Sequence, residues 1–139
     1  MFQNNRLLII DASDSTRTIL FKALSSTLPD LDIIACATAK EAITACRRFK
    51  FEVITTGLAL SDMDTYDMIA EIRKQVKNKD TPVFVVSGDT PTHILDPEND
   101  DALRYVITSF DMLKLTYMAK LVNETDLIKH VGIKEVVKD

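Results

Sequence analysis

The sequence has few of the residues that usually build redox, metal or dinucleotide sites. Its 139 residues include two cysteines, two histidines, three glycines and no tryptophan. Cys36 and Cys46 are too few and too isolated for a disulfide framework or a thiolate metal cluster, so we interpret them as buried free thiols. His93 and His130 lack a paired acid or a metal-ligand spacing, and we interpret both as surface residues.

Glycine is too sparse for a phosphate-binding loop. Gly57 and Gly88 belong to no G-x-G-x-x-G fingerprint, which argues against an enzyme that binds a dinucleotide. Both glycines fall at the carboxyl ends of predicted strands. Bare backbone there would leave a shallow pocket that a partner side chain or a small anion could enter. The alternative is that the glycines only accommodate the local structure.

Long hydrophobic runs and an excess of positive charge are also absent. No apolar run approaches the roughly 20 residues that a membrane-spanning helix needs, and residues 1–6 lack the layout of a signal peptide. The formal net charge of −4 provides no basic surface for nucleic acid. We therefore expect a cytoplasmic protein in which this domain binds neither a membrane nor nucleic acid.

What the sequence does contain is an alternation of short apolar runs and amphipathic stretches. The apolar runs predict five strands, β1 to β5, near residues 6–11, 32–37, 51–56, 82–87 and 104–108. Strand and helix in turn indicate βαβ units and a parallel sheet. The third and fourth runs are apolar at consecutive positions, as is typical of strands that helices cover on both faces.

Three helices are predicted between the first four strands. Thr38 and Glu41 fit a capping box at the start of the second helix. Each helix is predicted to bury one face, formed by Ile19, Ala23 and Leu24 in the first, Ala42, Cys46 and Phe49 in the second, and Ile69, Ile72 and Val76 in the third.

The arrangement of strand, acidic turn and helix occurs twice. The first strand runs into Asp11, and the third ends at Gly57 and is followed by Asp62 and Asp64. This pattern resembles the receiver domain of two-component response regulators over about residues 6 to 124. We therefore expect a receiver-like domain in residues 1–124, with residues 125–139 as a C-terminal extension or linker.

Five strands with right-handed crossovers predict an α/β fold of the flavodoxin-like or CheY-like (βα)5 class, a five-stranded parallel sheet with strand order 2-1-3-4-5. In that order Asp11 and Gly57 meet at the carboxyl ends of β1 and β3. Pro97 interrupts the segment 88–103, so we expect a short or irregular fourth helix, α4.

The resemblance also identifies the positions that carry phosphotransfer in receivers. The family has two adjacent acids after β1, a phospho-accepting aspartate after β3, a hydroxyl after β4, an aromatic switch residue in β5 and a lysine at the end of β5. In this chain those positions are Asp11 and Ala12, Gly57, Ser87, Tyr105 and Thr108. Three of the functional groups are therefore missing, and neither a metal nor a cofactor is expected.

Several residues near these positions have two interpretations. Asp11 is either a remnant of the acidic site or a cap of the first helix. Ser87 and Tyr105 are either inherited structure or a switch driven by something other than phosphate. Asp62 and Asp64 are alternative acceptors, although both are displaced along the loop from the family's position.

Taken with the resemblance, these losses predict a receiver-like signalling domain of a two-component phosphorelay that is not phosphorylated on aspartate and is not an enzyme. It would act as a regulatory interaction module for a partner protein or an attached output domain. The alternative is a residual phospho-accepting, Mg²⁺-binding receiver that uses Asp11 or a loop aspartate. A sensor with a ligand over Gly57 is a third hypothesis.

The last predicted helix, α5, is apolar over more than one face. We expect it to form, with β5, a homodimer or domain contact that is independent of phosphorylation, unless the segment 88–103 covers the same face. The residues proposed for this surface are Met112, Leu115, Met118 and Val122.

Overall fold

A computed structural model describes residues 6–27 and 30–86 and the backbone of residues 106–108. The strands are β1 (Arg6–Ile10), β2 (Asp32–Cys36), β3 (Val53–Thr56), β4 (Val83–Val86) and β5 (Val106–Thr108). The helices are α1 (Asp14–Thr27), α2 (Ala39–Arg48) and α3 (Thr65–Arg73), and a 3₁₀ turn spans Val76–Asn78. The residues predicted to form α4 and α5 lie outside the described part of the chain.

The five strands form one parallel sheet with the order β2-β1-β3-β4-β5. The predicted fold class and strand order are therefore confirmed. Leu8 in β1 lies opposite Ile34 in β2 and Ile54 in β3, which fixes the register of the three strands. Because β1 is followed along the chain by β2 on one side and paired with β3 on the other, the carboxyl ends of β1 and β3 form the topological switch point.

Two apolar clusters cover the two faces of the sheet. Leu8 and Ile10 of β1 belong to a cluster that also contains buried residues of α2 and α3. Leu7 and Ile9 belong to a second cluster with Leu20 and Leu24 of α1. Successive side chains of a strand point to opposite faces, so a strand covered on both sides is apolar at every position.

Two predicted helix faces were wrong in part. Leu20 and Leu24 form the buried stripe of α1, whereas Ile19, rotated by about 100° from Leu20, is 55% exposed. The third helix ends at Arg73 with Lys74 as its C-cap, so Val76 leaves the helical face and is 86% exposed in the 3₁₀ turn. Apolar character alone did not show where the helix ends.

The capping box of α2 is confirmed. The Thr38 hydroxyl accepts the Glu41 amide at 3.2 Å, and the Glu41 carboxylate accepts the amides of Ala37 and Thr38 at 2.9 and 3.3 Å. These backbone hydrogen bonds, that from Ala37 first, lower the pKa of Glu41. No helix in the described part of the chain is long and apolar enough to cross a bilayer.

A buried asparagine joins two loops at the amino edge of the sheet, opposite the switch point. Asn78 is completely buried and accepts the amide of Phe51 at 2.9 Å. Its side-chain amide donates to the carbonyls of Cys46 and Phe49, each at 2.8 Å. The Thr81 hydroxyl donates to the Phe51 carbonyl at 3.2 Å. The α2–β3 and α3–β4 connections are thus held against each other.

Candidate functional site at the carboxyl edge of the sheet

The structure brings Asp11 and Gly57 together at the switch point. The Gly57 amide donates to the carbonyl of Ile10 at 2.9 Å, which continues the β1–β3 ladder by one residue. The Asp11 amide donates to the carbonyl of Cys36 at 3.1 Å and continues the ladder with β2. The two residues therefore follow directly from adjacent, paired strands, as the predicted topology requires.

The carboxylate of Asp11 occupies the space that a Cβ atom on residue 57 would need. A Cβ atom built on Gly57 would lie 2.5 Å from Asp11 Oδ2 and 3.2 Å from Asp11 Cγ, and the first distance is shorter than real Cβ contacts. The φ angle of Gly57 lies outside the left-handed region, so the backbone conformation does not require glycine. Close approach of Asp11 is what requires it.

Residues just before and within α1 form hydrogen bonds with Asp11. Its Oδ1 accepts the amide of Ser13 at 2.9 Å, and its carbonyl accepts Arg17 Nη1 at 2.6 Å. The Arg17 guanidinium also pairs with Asp14 in the first turn of the helix. Asp11 therefore holds the turn before α1, whereas the side chain that caps the helix is that of Ser13, whose hydroxyl accepts the Thr16 amide at 3.2 Å.

The carbonyl of Gly57 is held by two hydroxyl groups. Thr65, the first residue of α3, donates to it at 2.8 Å, and Thr56 donates to it at 3.0 Å. Both threonines and Gly57 are buried. The sequence alone did not predict the role of Thr65, because a hydroxyl at a helix start does not by itself reveal a bond to a residue eight positions earlier.

The two loop aspartates cap helices. Asp62 Oδ1 and Oδ2 accept the amides of Ala39 and Lys40 at 2.8 and 3.0 Å, so the β3–α3 loop is attached to the start of α2. Those backbone hydrogen bonds, that from Ala39 first, lower the pKa of Asp62. Asp64 Oδ2 accepts the amides of Tyr66 and Asp67 at 3.0 and 3.2 Å and forms the N-cap of α3.

The other predicted site residues are less completely described. Ala12 is exposed and has no carboxylate, and Thr108 is described only by its backbone, which pairs with Val86. Ser87 and Tyr105 lie outside the described residues, as does the α5 surface of Met112, Leu115, Met118 and Val122. Within residues 6–27 and 30–86, no three His, Cys, Asp or Glu side chains come together as a metal site.

The two cysteines are free thiols, as predicted. Cys46 is buried in α2, and Cys36 at the end of β2 is only half-buried. Burial raises the pKa of each thiol to about 12. Neither side chain is therefore a thiolate near neutral pH, and neither is a nucleophile for the site.

Comparisons with known proteins agree with the fold. No protein-family model and no curated protein matches the sequence. Among solved structures, the chemotaxis response regulator CheY4 of Vibrio cholerae matches with a TM-score of 0.62 at 18% identity, covering 88% of this chain and 98% of that chain. The chain has the fold of receiver domains.

Two further structures show the same similarity in kinase-associated receivers. The receiver domain of a histidine kinase from Arabidopsis thaliana matches with a TM-score of 0.65 at 20% identity over 86% of this chain and 89% of that chain. The receiver domain of a sensor histidine kinase from Pseudomonas aeruginosa matches with a TM-score of 0.64 at 19% identity, covering 94% of this chain and 99% of that chain. The latter structure contains a magnesium ion coordinated in the active site cleft.

Proposed function

We propose that this chain is a receiver-fold signalling domain of a two-component phosphorelay in the cytoplasm, that it is not phosphorylated on aspartate, and that it acts as a regulatory protein–protein interaction module. The observation that carries this proposal is the contact between Asp11 and Gly57. The Asp11 carboxylate lies 2.5 Å from the position of a Cβ on residue 57. The space that an acceptor side chain would use is thus occupied by a neighbouring carboxylate.

Phosphorylation of a receiver is an in-line transfer to a carboxylate oxygen. It needs a nucleophile, a Mg²⁺ ion that neutralises phosphoryl charge, and donors around the product. Gly57 supplies no nucleophile and Ala12 supplies no metal ligand. Mg²⁺ at this site would retain only Asp11 of the family's carboxylate ligands, too few for more than a weakly held, mostly hydrated ion.

The loop aspartates are poor replacements for the missing acceptor. Asp62 accepts two amides of α2, and Asp64 accepts two amides of α3. Transfer to either carboxylate would replace hydrogen bonds that satisfy helix N-termini, and each helix would lose its cap. These contacts support the non-phosphorylated reading over the residual-acceptor alternative.

The proposal is tested by incubating the chain with a small acyl phosphate and Mg²⁺ and measuring intact mass. We expect no phosphoryl adduct, and no saturable Mg²⁺-dependent shift of the Asp11 amide by NMR at millimolar Mg²⁺. Gly57→Asp alone should also remain unmodified, because Ala12 and Thr108 still lack the family's acid and lysine. An adduct on the parent chain that Asp11→Asn removes would establish the residual-acceptor function instead.

An interaction module needs a contact surface. We propose that the predicted α5 surface, together with β5, forms this contact, either with a second copy of the chain or with another domain. Met118→Glu is the discriminating variant, because a buried charge disrupts an apolar interface. We expect the parent chain to show concentration-dependent association by sedimentation and the variant to remain monomeric. If both are monomers of equal stability over a wide concentration range, this surface does not mediate self-association.

A further inference from the structure

The exposed face of α2 carries more basic than acidic side chains, although the chain as a whole is acidic. Lys40, Arg47 and Arg48 are exposed along this helix, in a chain whose formal net charge is −4. None of the three forms an ion pair within residues 6–27 and 30–86. Uncompensated charges of one sign on one face create a local potential that the net charge does not reveal.

Two lysines from neighbouring loops extend this face. Lys77 Nζ donates to the carbonyl of Arg48 at 3.3 Å, and Lys50 Nζ donates to the hydroxyl of Thr81 at 3.4 Å. Both lysines are exposed, and neither forms an ion pair with a residue that the structure describes. The Asn78 hydrogen bonds hold these loops together, so the cations are presented by a rigid support.

An open groove runs beside the same cations. Two cations and one acid contribute to its lining, which consists of Lys40, Glu41, Thr44, Ala45, Arg48 and Phe49. The Phe49 ring lies beneath two guanidinium groups, with Arg6 at 4.6 Å and Arg48 at 5.7 Å from its centroid. These contacts keep an aromatic face and a cation adjacent at the surface.

Acidic groups near the groove already have partners. The Glu41 carboxylate is used in the capping box of α2, and Asp32 pairs with Arg6 at 3.8 Å. The carboxylates of Asp11 and Asp64 lie at the opposite, carboxyl edge of the sheet, and Asp62 lies there beside Lys40, whose amide it accepts. The other cations lie at the carboxyl end of α2 and in the loops of the amino edge, away from these three carboxylates: Arg47, Arg48, Lys50 and Lys77.

We propose that this surface, the α2 patch, binds an acidic segment of a partner protein that inserts an apolar side chain into the groove. The α2 patch consists of Lys40, Ala45, Arg47, Arg48, Phe49, Lys50 and Lys77. The unpaired cations complement carboxylates, and the apolar lining formed by Ala45 and Phe49 complements a Leu or Ile side chain. A long polyanion would extend beyond the patch and meet the rest of the protein surface. The net charge of −4 makes that contact unfavourable.

Binding is tested on the full chain with a fluorescein-labelled helical peptide of about four turns in which Leu recurs at positions i, i+3 and i+7 and Glu occupies the flanking positions. We expect saturable binding that weakens with added salt and shifts the amide resonances of Ala45, Arg48 and Phe49. Arg48→Glu should weaken binding by about tenfold. Lys22→Glu, the same charge change on exposed α1, should change it less than about twofold.

If Arg48→Glu folds poorly, Lys77→Glu provides a second variant. Thermal unfolding shows whether each variant is folded. The proposal is overturned if the peptide does not bind at millimolar concentration in low salt, or if Arg48→Glu and Lys22→Glu weaken it equally. Equal binding of a peptide with Ser in place of Leu would also exclude the groove. Tighter binding to a DNA duplex or to phosphatidylglycerol vesicles would assign the patch to another class of partner.

Discussion

At the scale of single residues, Gly57 shows that a glycine can be required by a neighbouring side chain rather than by its own torsion angles. Its φ angle is accessible to other residues, but a Cβ would lie 2.5 Å from Asp11 Oδ2. The Ser13 amide holds the other oxygen of that carboxylate, so Asp11 cannot move aside without losing a hydrogen bond. We therefore expect the stability effects of substitutions at the two positions to be coupled.

Gly57→Ala should destabilise the parent chain by about 1–2 kcal/mol, because overpacking outweighs the entropic gain from removing a glycine. In an Asp11→Ala background the same substitution should be neutral or stabilising by up to about 1 kcal/mol. Urea unfolding of the four proteins in this double-mutant cycle measures the coupling. An equal cost in both backgrounds would show that Asp11 is not the obstacle.

Two adjacent threonines in β3 allow a second test, of how a hydroxyl hydrogen bond affects stability. Thr55 and Thr56 are both buried, but the Thr55 hydroxyl has no hydrogen-bond partner among the described residues, whereas Thr56 donates to Gly57 at 3.0 Å. Thr55→Val should stabilise the chain by about 1 kcal/mol, and Thr56→Val should destabilise it by about the same amount. Chemical denaturation gives both values, and a loss in each variant would indicate that Thr55 has a partner.

At the scale of secondary-structure elements, helix starts are satisfied from distant parts of the chain. Asp62 lies 23 residues after Ala39 and accepts its amide. Asp64 caps α3, which begins at the next residue, Thr65. The β3–α3 loop is therefore bonded to the starts of both α2 and α3, through Asp62 and Asp64.

Removal of Asp62 should make stability less dependent on acid pH. The hydrogen bonds from Ala39 and Lys40 lower its folded-state pKa below the ordinary value of 3.8, so the unfolded chain binds more protons in this range. The stabilisation is thus present above pH 3.8 and is lost as pH falls through the folded pKa. Asp62→Ala should lower the melting temperature at pH 7, with a smaller difference below pH 3.8.

Asp80→Ala is the control for this comparison. Asp80 is exposed, and its ion pair with Lys79, with 4.0 Å between Asp80 Oδ2 and Lys79 Nζ, contributes little to stability. It should leave the melting temperature at pH 7 nearly unchanged. If Asp62→Ala lowers the melting temperature equally at every pH, the capping carboxylate is not the origin of the effect.

At the scale of the whole molecule, the sheet has two edges with different organisation. The carboxyl edge holds Asp11, Gly57 and the capped helix starts, and the amino edge is joined by the buried Asn78. Asn78 bonds to residues 27 to 32 positions earlier, so it connects elements that are distant along the chain. Its loss should affect global stability rather than one loop.

Asn78→Asp keeps the shape of the side chain but removes the donors to Cys46 and Phe49. The buried carbonyl of Cys46 and the partly buried carbonyl of Phe49 would then face a carboxyl group, and we expect a loss of about 3 kcal/mol or more. The adjacent, exposed Lys79→Ala should change stability by less than about 0.5 kcal/mol. Urea unfolding with one transition checks both values, and a loss below about 1 kcal/mol for Asn78→Asp would mean that water replaces the missing bonds.

Local patterns in the sequence were enough to predict the fold class, the strand order and the α2 capping box. The five strands lie within two residues of their predicted bounds, because consecutive apolar residues and short connections are local signals. The absence of a carboxylate at position 57 was also readable directly. Helix ends were less predictable, as Val76 shows, because apolar periodicity does not reveal that the backbone becomes extended at Gln75, after the C-cap of α3.

The tertiary structure alone revealed what surrounds Gly57. The position of the Asp11 carboxylate, the Thr65 bond to the Gly57 carbonyl and the Asp62 cap of α2 each join residues from different elements. No spacing along the chain encodes these contacts, since they depend on how strands in register bring their ends together. Likewise, the α2 patch combines residues of a helix and two loops whose separation in sequence hides their proximity.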